Sequence, residues 1–187
     1  MNIVALDAAG RYAIAALKRR DGALYEAAIG GEGAVRSVYA AVDAVLAKGD
    51  MTPAALDAIV VNTGPGSWTG VRIAVTYAAG LAFGARFKAF GHSGFVIGGR
   101  LTGGRVAFID QLGKTVAEEG ASDRDGESPH LMNLFPEASA EDYLAARRAF
   151  LHLMLHMGAE ALTSGEAGDP LDLQTTYFQE FLTGARN

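Results

Sequence analysis

The stretch "DAIVVNTGPGSWTGVRIAVTYAAGLAFG", Asp57 to Gly84, decides how this chain folds. "DAIVVNT" is an unbroken apolar run, which reads as a strand buried on both faces. Gly64 to Gly70 then packs three glycines and a proline into a loop. A helix pattern follows from about Gly70 to Gly84. A glycine-rich loop between strand and helix cradles a phosphate, presents a nucleophile, or turns a corner.

The helix pattern is apolar all round. Val71, Val75 and Ala79 lie on one side, and Ala74, Ala78 and Ala82 on another. Such a helix is buried or packs against two neighbours. The alanine stripe would let a second helix approach closely. Gly80 in the interior costs about 1 kcal/mol against alanine, and close backbone contact would compensate for it.

Upstream, Asn2 to Asp7 reads as a buried strand. "RYAIAALKR" and "ALYEAAI" form a hairpin around Asp21-Gly22. Three strands joined by short turns are antiparallel. Val35, Val38, Val42, Val45 and Leu46 share one helical face over Gly33–Lys48, and Gly49 ends that helix. Thr52-Pro53 opens a short helix.

Downstream, "RFKAF" is a strand, and glycines thicken from Gly91 to Gly104. "RVAFID" and "KTVAEEG" form a hairpin around Leu112-Gly113. Ser139 with Asp142 opens a helix to about His156, and "GDPLDLQTTYF" reads as extended. The expected organisation is α/β, with a first lobe over 1–100 and a smaller α+β lobe over 101–187.

The chain has 187 residues, of which 50% are hydrophobic and 20% charged, so a folded core is expected. Its net charge is −5, the wrong sign for a protein that grips nucleic acid alone. It has no cysteine, which excludes disulfides, thiolate metal sites and cysteine nucleophiles. "MNIVALDAAG" does not read as a signal peptide, and no segment approaches the ~20 apolar residues of a membrane span. A cytoplasmic location is expected.

The phosphate reading of the loop rests on Gly64, Gly66 and Ser67. "GPGSWTG" is neither a Walker A loop nor a Rossmann fingerprint. The structural alternative is a turn capped by Ser67 or Thr69. "GHSGF", Gly91 to Phe95, approaches a nucleophile elbow but ends in Phe95 rather than glycine, which makes the nucleophile the weaker reading against a helix cap at Ser93. His152 and His156 have metal-ligand spacing but lack the intervening glutamate, so partly exposed structural histidines are the alternative. Asp7 and Asp110 each end a strand, where a carboxylate holds a metal-bound phosphate or makes an Asx turn.

Together, "VALDAAGRYAIAAL", the central stretch and "DPLDL" resemble the TsaB (YeaZ) family, and "RVAFIDQLGKTVAEE" is similar to the hairpin of its second lobe. The resemblance implies an actin-like, RNase H-like fold of two lobes. It implies a non-catalytic subunit that pairs with TsaD in making threonylcarbamoyladenosine in tRNA. A TsaE-type ATPase is a further implied partner, with a homodimer when the chain is alone. The tRNA is met only through the complex, with no membrane and no cofactor.

The turn Ala8-Ala9-Gly10 lacks the hydroxyls the family carries after its aspartate, which argues against nucleotide binding here. The expected partner surface is Ala74, Ala78 and Ala82 with Val35, Val38 and Val42. Gly64, Pro65, Gly66, Ser67, Thr69 and Gly70 are expected to set the helix start. Arg72 is expected to anchor the loop through its carbonyls or through Asp7 or Asp57. Two alternatives remain: an actin-like enzyme binding nucleotide through Asp7, the loop and Asp110, and a small hydrolase using Ser93.

Overall fold

A computed structural model of the chain describes residues 1–31, 33–104, 106–109, 115–119, 130–134 and 136–175. Strands β1 (Ile3–Asp7), β2 (Ala13–Lys18) and β3 (Leu24–Ile29) are antiparallel neighbours. Helix α1 (Ala34–Lys48) and a 3-10 turn at Pro53–Ala55 lead into β4 (Ala58–Asn62). Helix α2 (Trp68–Ala85) and β5 (Lys88–His92) follow. The sheet runs β3-β2-β1-β4-β5, with β4 parallel to both β1 and β5.

Alternation along the central strands builds two cores. Val4, Leu6, Ile59 and Val61 point to one face, where α1 and α2 cover them. Ile3, Ala5, Ala58 and Val60 point to the other. All five residues of β1 and of β4 are buried, as continuous apolar strands in the middle of a sheet require.

Helix α3 (Gly94–Thr102) leads to a second sheet of β6 (Val106–Ile109), β7 (Thr115–Glu119) and β8 (His130–Asn133), in the order β7-β6-β8. The antiparallel β6–β7 pair is the expected hairpin. Its turn and Asp110 lie outside the described residues. Helix α4 (Ala140–Ser164) returns to the large sheet, and Phe150, Leu151 and Met154 join the second core. Gly158 permits close approach, since a Cβ there would stand 2.4 Å from Val60 Cγ2.

Ser93 takes its cap reading, opening α3 by accepting from the Val96 amide at 3.3 Å. Gly98 then lets α3 lie against β6, because a Cβ there would meet Val106 at 3.2 Å. The helix opened by Ser139 continues to Ser164, well past His156. The tail forms a 3-10 turn at Pro170–Asp172, with the Asp169 carboxylate accepting from the Leu171 amide. No helix among the described residues is long and apolar enough to cross a membrane.

Candidate functional site: a closed turn and an open aromatic groove

Asp7 ends β1 at the edge of the glycine-rich loop, and it is 1% exposed. Its Oδ1 accepts from the Ala9 amide and from Asn62 Nδ2, each at 2.9 Å. Its Oδ2 accepts from Arg147 Nη2 at 2.7 Å. Arg147 comes from α4, is itself buried, and lies with its guanidinium 4.3 Å from the Phe150 ring centroid. Burial opposes its charge, but Asp7, helped by Tyr143, raises its pKa above the usual arginine value. The carboxylate that would hold a metal-bound phosphate is thus paired with a fixed internal cation.

The loop is closed as well. Ser67 donates its amide to Ala9 O at 2.6 Å, and Gly64 donates to Asn62 Oδ1 at 3.0 Å. Ser67 is the N-cap of α2, its Oγ accepting from the Gly70 amide at 3.2 Å. Gly66 and Gly70 press onto the Ala8–Ala9 backbone, where added Cβ atoms would meet the Ala9 and Ala8 carbonyl oxygens at 2.3 and 2.1 Å. The glycines serve close approach of two turns, and Ala9 occupies the ground between Asp7 and the loop. Gly70→Ala is therefore expected to destabilise the protein by about 2–3 kcal/mol, as overpacking against backbone does. The midpoint of urea unfolding checks this.

Arg72 does not anchor the loop. It is exposed, with its guanidinium 5.4 Å from the Trp68 ring centroid, a cation–π arrangement. Asp7 pairs instead with Arg147, and Asp57 with Arg20 at 3.7 Å. Thr69 is exposed in the first turn of α2 and Pro65 is buried in the loop. The two histidines of α4 diverge: His152 Nε2 meets Glu26 Oε1 at 2.7 Å, and His156 Nδ1 meets Glu160 at 3.3 Å. Among the described residues no cluster of three or more His, Asp or Glu side chains is placed to hold a metal. Ser93 is occupied as a cap. Its neighbour His92 has Nε2 buried without a partner among the described residues, and burial lowers its pKa.

The expected partner stripe is turned inward. Ala74, Ala78 and Ala82 are 0% exposed, as are Val38 and Val42, and all five belong to the core beneath α1 and α2. Short side chains let α2 settle close to α1 and β4, so the stripe serves packing inside the chain. Of the proposed surface only Val35 is exposed, at 54%.

The outer side of the same helix pair carries large apolar groups instead. Val35 and Tyr39 of α1, with Trp68, Ile73, Tyr77 and Leu81 of α2, line a groove of about 870 Å³. Tyr39 and Trp68 are 50% and 60% exposed. The Tyr39 and Tyr77 rings pack with centroids 4.5 Å apart. Burial, then Asp43 and Tyr39, pushes the Tyr77 phenol up to about 12, so that side chain stays neutral at neutral pH. Gly80 lines this groove with nothing within 4 Å of an added Cβ. Among the described residues no backbone contact explains that glycine. Gly80→Ala is expected to stabilise the isolated protein by about 0.5–1 kcal/mol, read as a rise in melting temperature.

This order of strands and helices defines an α/β protein of the actin-like, RNase H-like class. YeaZ from Pseudomonas aeruginosa has a similar solved structure, with TM-score 0.64 and 20% identity over 95% of this chain and 99% of that one. Another solved structure, of an uncharacterized protein with similarity to peptidase YeaZ from Pseudomonas aeruginosa, gives TM-score 0.64 and 21% identity over the same shares. The chain has the YeaZ fold. The family model for TsaD, tRNA N6-adenosine threonylcarbamoyltransferase, matches residues 34–91, from the start of α1 into β5. No curated protein matches the sequence.

Proposed function

We propose that this chain is a non-catalytic partner subunit of a TsaD-containing complex that makes threonylcarbamoyladenosine in tRNA. The observation that carries the reading is the exposed aromatic groove between α1 and α2. Exposed tyrosine and tryptophan at the centre of an apolar patch are what protein interfaces use as anchors. The groove lies on a YeaZ fold and within the segment that the TsaD family model matches. The occupant is a TsaD-type protein, and in its absence a second copy of this chain. A TsaE-type ATPase is a further partner in this reading. With a net charge of −5, the chain meets tRNA through its partners.

The Asp7–Arg147 pair supports the non-catalytic part. A metal-bound nucleotide at Asp7 would have to displace an arginine already seated 2.7 Å away. The reading keeps two lobes, 1–100 with the large sheet and 101–187 with the small one, α4 reaching back to deliver Arg147.

The test is to mix the purified chain with a TsaD-type protein and measure mass by light scattering. A discrete complex supports the proposal. A partner-indifferent chain that binds ATP and magnesium tightly would sink it and restore the nucleotide-binding reading.

A further inference from the structure

After α4 the chain rounds the edge strand β5 and crosses to the face of the sheet that α2 covers. The Ala89 amide donates to Gly168 O at 3.0 Å, which ties this crossing to β5. Pro170 lies beside Arg86 and Phe87, just past the end of α2. Leu173 packs against the first core, and with Gln174 and Thr175 it borders a small cavity facing Arg72, Val75 and Thr76 of α2. The segment therefore runs back along α2 toward that helix's start. Arg72 and Thr76 line this cavity and the aromatic groove alike. Thr175, the last described residue, stands at the edge of the groove.

Residues 176–187 read "TYFQEFLTGARN". Tyr177, Phe178, Phe181 and Leu182 fall at i, i+1, i+4 and i+5, the spacing of one helical face. That face is aromatic and aliphatic, as the groove is. The lengths agree too. A helix over these residues would measure about 18 Å, and the groove from Trp68 to Leu81 runs about 20 Å along α2. Charge agrees as well: exposed Arg72 has no carboxylate partner among the described residues, and Glu180 sits inside the apolar pattern. A segment tethered at the groove's edge is present at an effective concentration of roughly millimolar, so even a weak contact is populated.

We infer that residues 176–187 occupy the aromatic groove of their own chain, through Tyr177, Phe178, Phe181 and Leu182, and that a partner enters by displacing them. The mode is a helix laid in a groove. The contact stands on the path of the chain alone. The competition rests on the groove being the partner surface proposed above. A TsaD-type protein, or a second copy, meets a groove already held, so its apparent affinity falls by the fraction of time the groove is open.

Trp68 is the chain's single tryptophan, and it lines the groove, so its fluorescence reads occupancy directly. In the full chain alone, Phe178→Asp with Phe181→Asp is expected to shift its emission to the red and to raise acrylamide quenching. Thr183→Asp, off the apolar face, should match the wild type. Identical emission and quenching in the wild type and the double variant would overturn the contact. Shielding of Trp68 that grows with protein concentration would also overturn it, because a second copy would then be the cover. The double variant should bind a TsaD-type protein about tenfold more tightly, the gain for a groove otherwise covered about 90% of the time. Equal affinities would overturn the competition. If neither chain binds the partner, the proposed function fails with the competition, while the Trp68 signal of the lone chain still decides the contact.

Discussion

Arg147→Ala is expected to lower the stability of the protein by about 3–5 kcal/mol, the cost of leaving one member of a buried ion pair alone. Asp7 keeps its two neutral donors in the variant, the Ala9 amide and the Asn62 side chain. Neither carries a charge. With Asp7 1% exposed, water cannot replace the guanidinium without loosening the turn. The neighbouring Tyr143 offers no substitute, since its phenol is held neutral, burial raising its pKa.

The control is the double variant Asp7→Asn, Arg147→Met, which removes both charges and keeps volume. It should recover most of the loss, because exchanging a buried ion pair for neutral groups is often close to neutral in free energy. Urea unfolding of the single and double variants reads both numbers. A loss below about 1 kcal/mol for Arg147→Ala would mean that water already reaches Asp7, as at exposed pairs. The closed turn, and with it the argument against a nucleotide at Asp7, would then fail.

This pair also marks where sequence reading reached its limit. Asp7 was visible as a strand-ending carboxylate, but Arg147 lies 140 residues away on a helix whose charged residues look like an ordinary solvated face. Nothing local distinguishes it from Arg148, which is exposed and pairs with Glu26. The strands and the first two helices were legible for the opposite reason. Their signals are local: the hairpin at Asp21-Gly22, the apolar run of β4, and the Ser67 cap after a glycine loop.

The orientation of α2 was not legible. A helix apolar all round gives periodicity no face to choose. Side-chain volume settles it: the alanines go inward, where α1 and β4 crowd the axis, and Trp68, Tyr77 and Phe83 stay on outer faces. Helix α3 was hidden by its glycines, which weaken helical propensity but are what β6 and β8 require at Gly98.

That outer face yields the second large effect. Trp68→Ala is expected to weaken association with a TsaD-type partner by about 30-fold or more, the loss of 2 kcal/mol or more typical of a tryptophan anchor. Its effect on folding should stay within about 0.5 kcal/mol, as for most surface substitutions. Phe83 supplies the comparison. It lies on the same helix and is 66% exposed, more than Trp68, but it does not line the groove. Phe83→Ala should therefore leave partner affinity nearly unchanged. Light scattering and titration calorimetry on the two variants separate a groove that recognises a partner from general stickiness of exposed aromatics. Equal losses for both variants would point to stickiness. No loss for either would move the partner surface away from α1 and α2 altogether. A loss confined to Trp68 would also give Gly80 its role, as the floor that lets the partner's backbone come close.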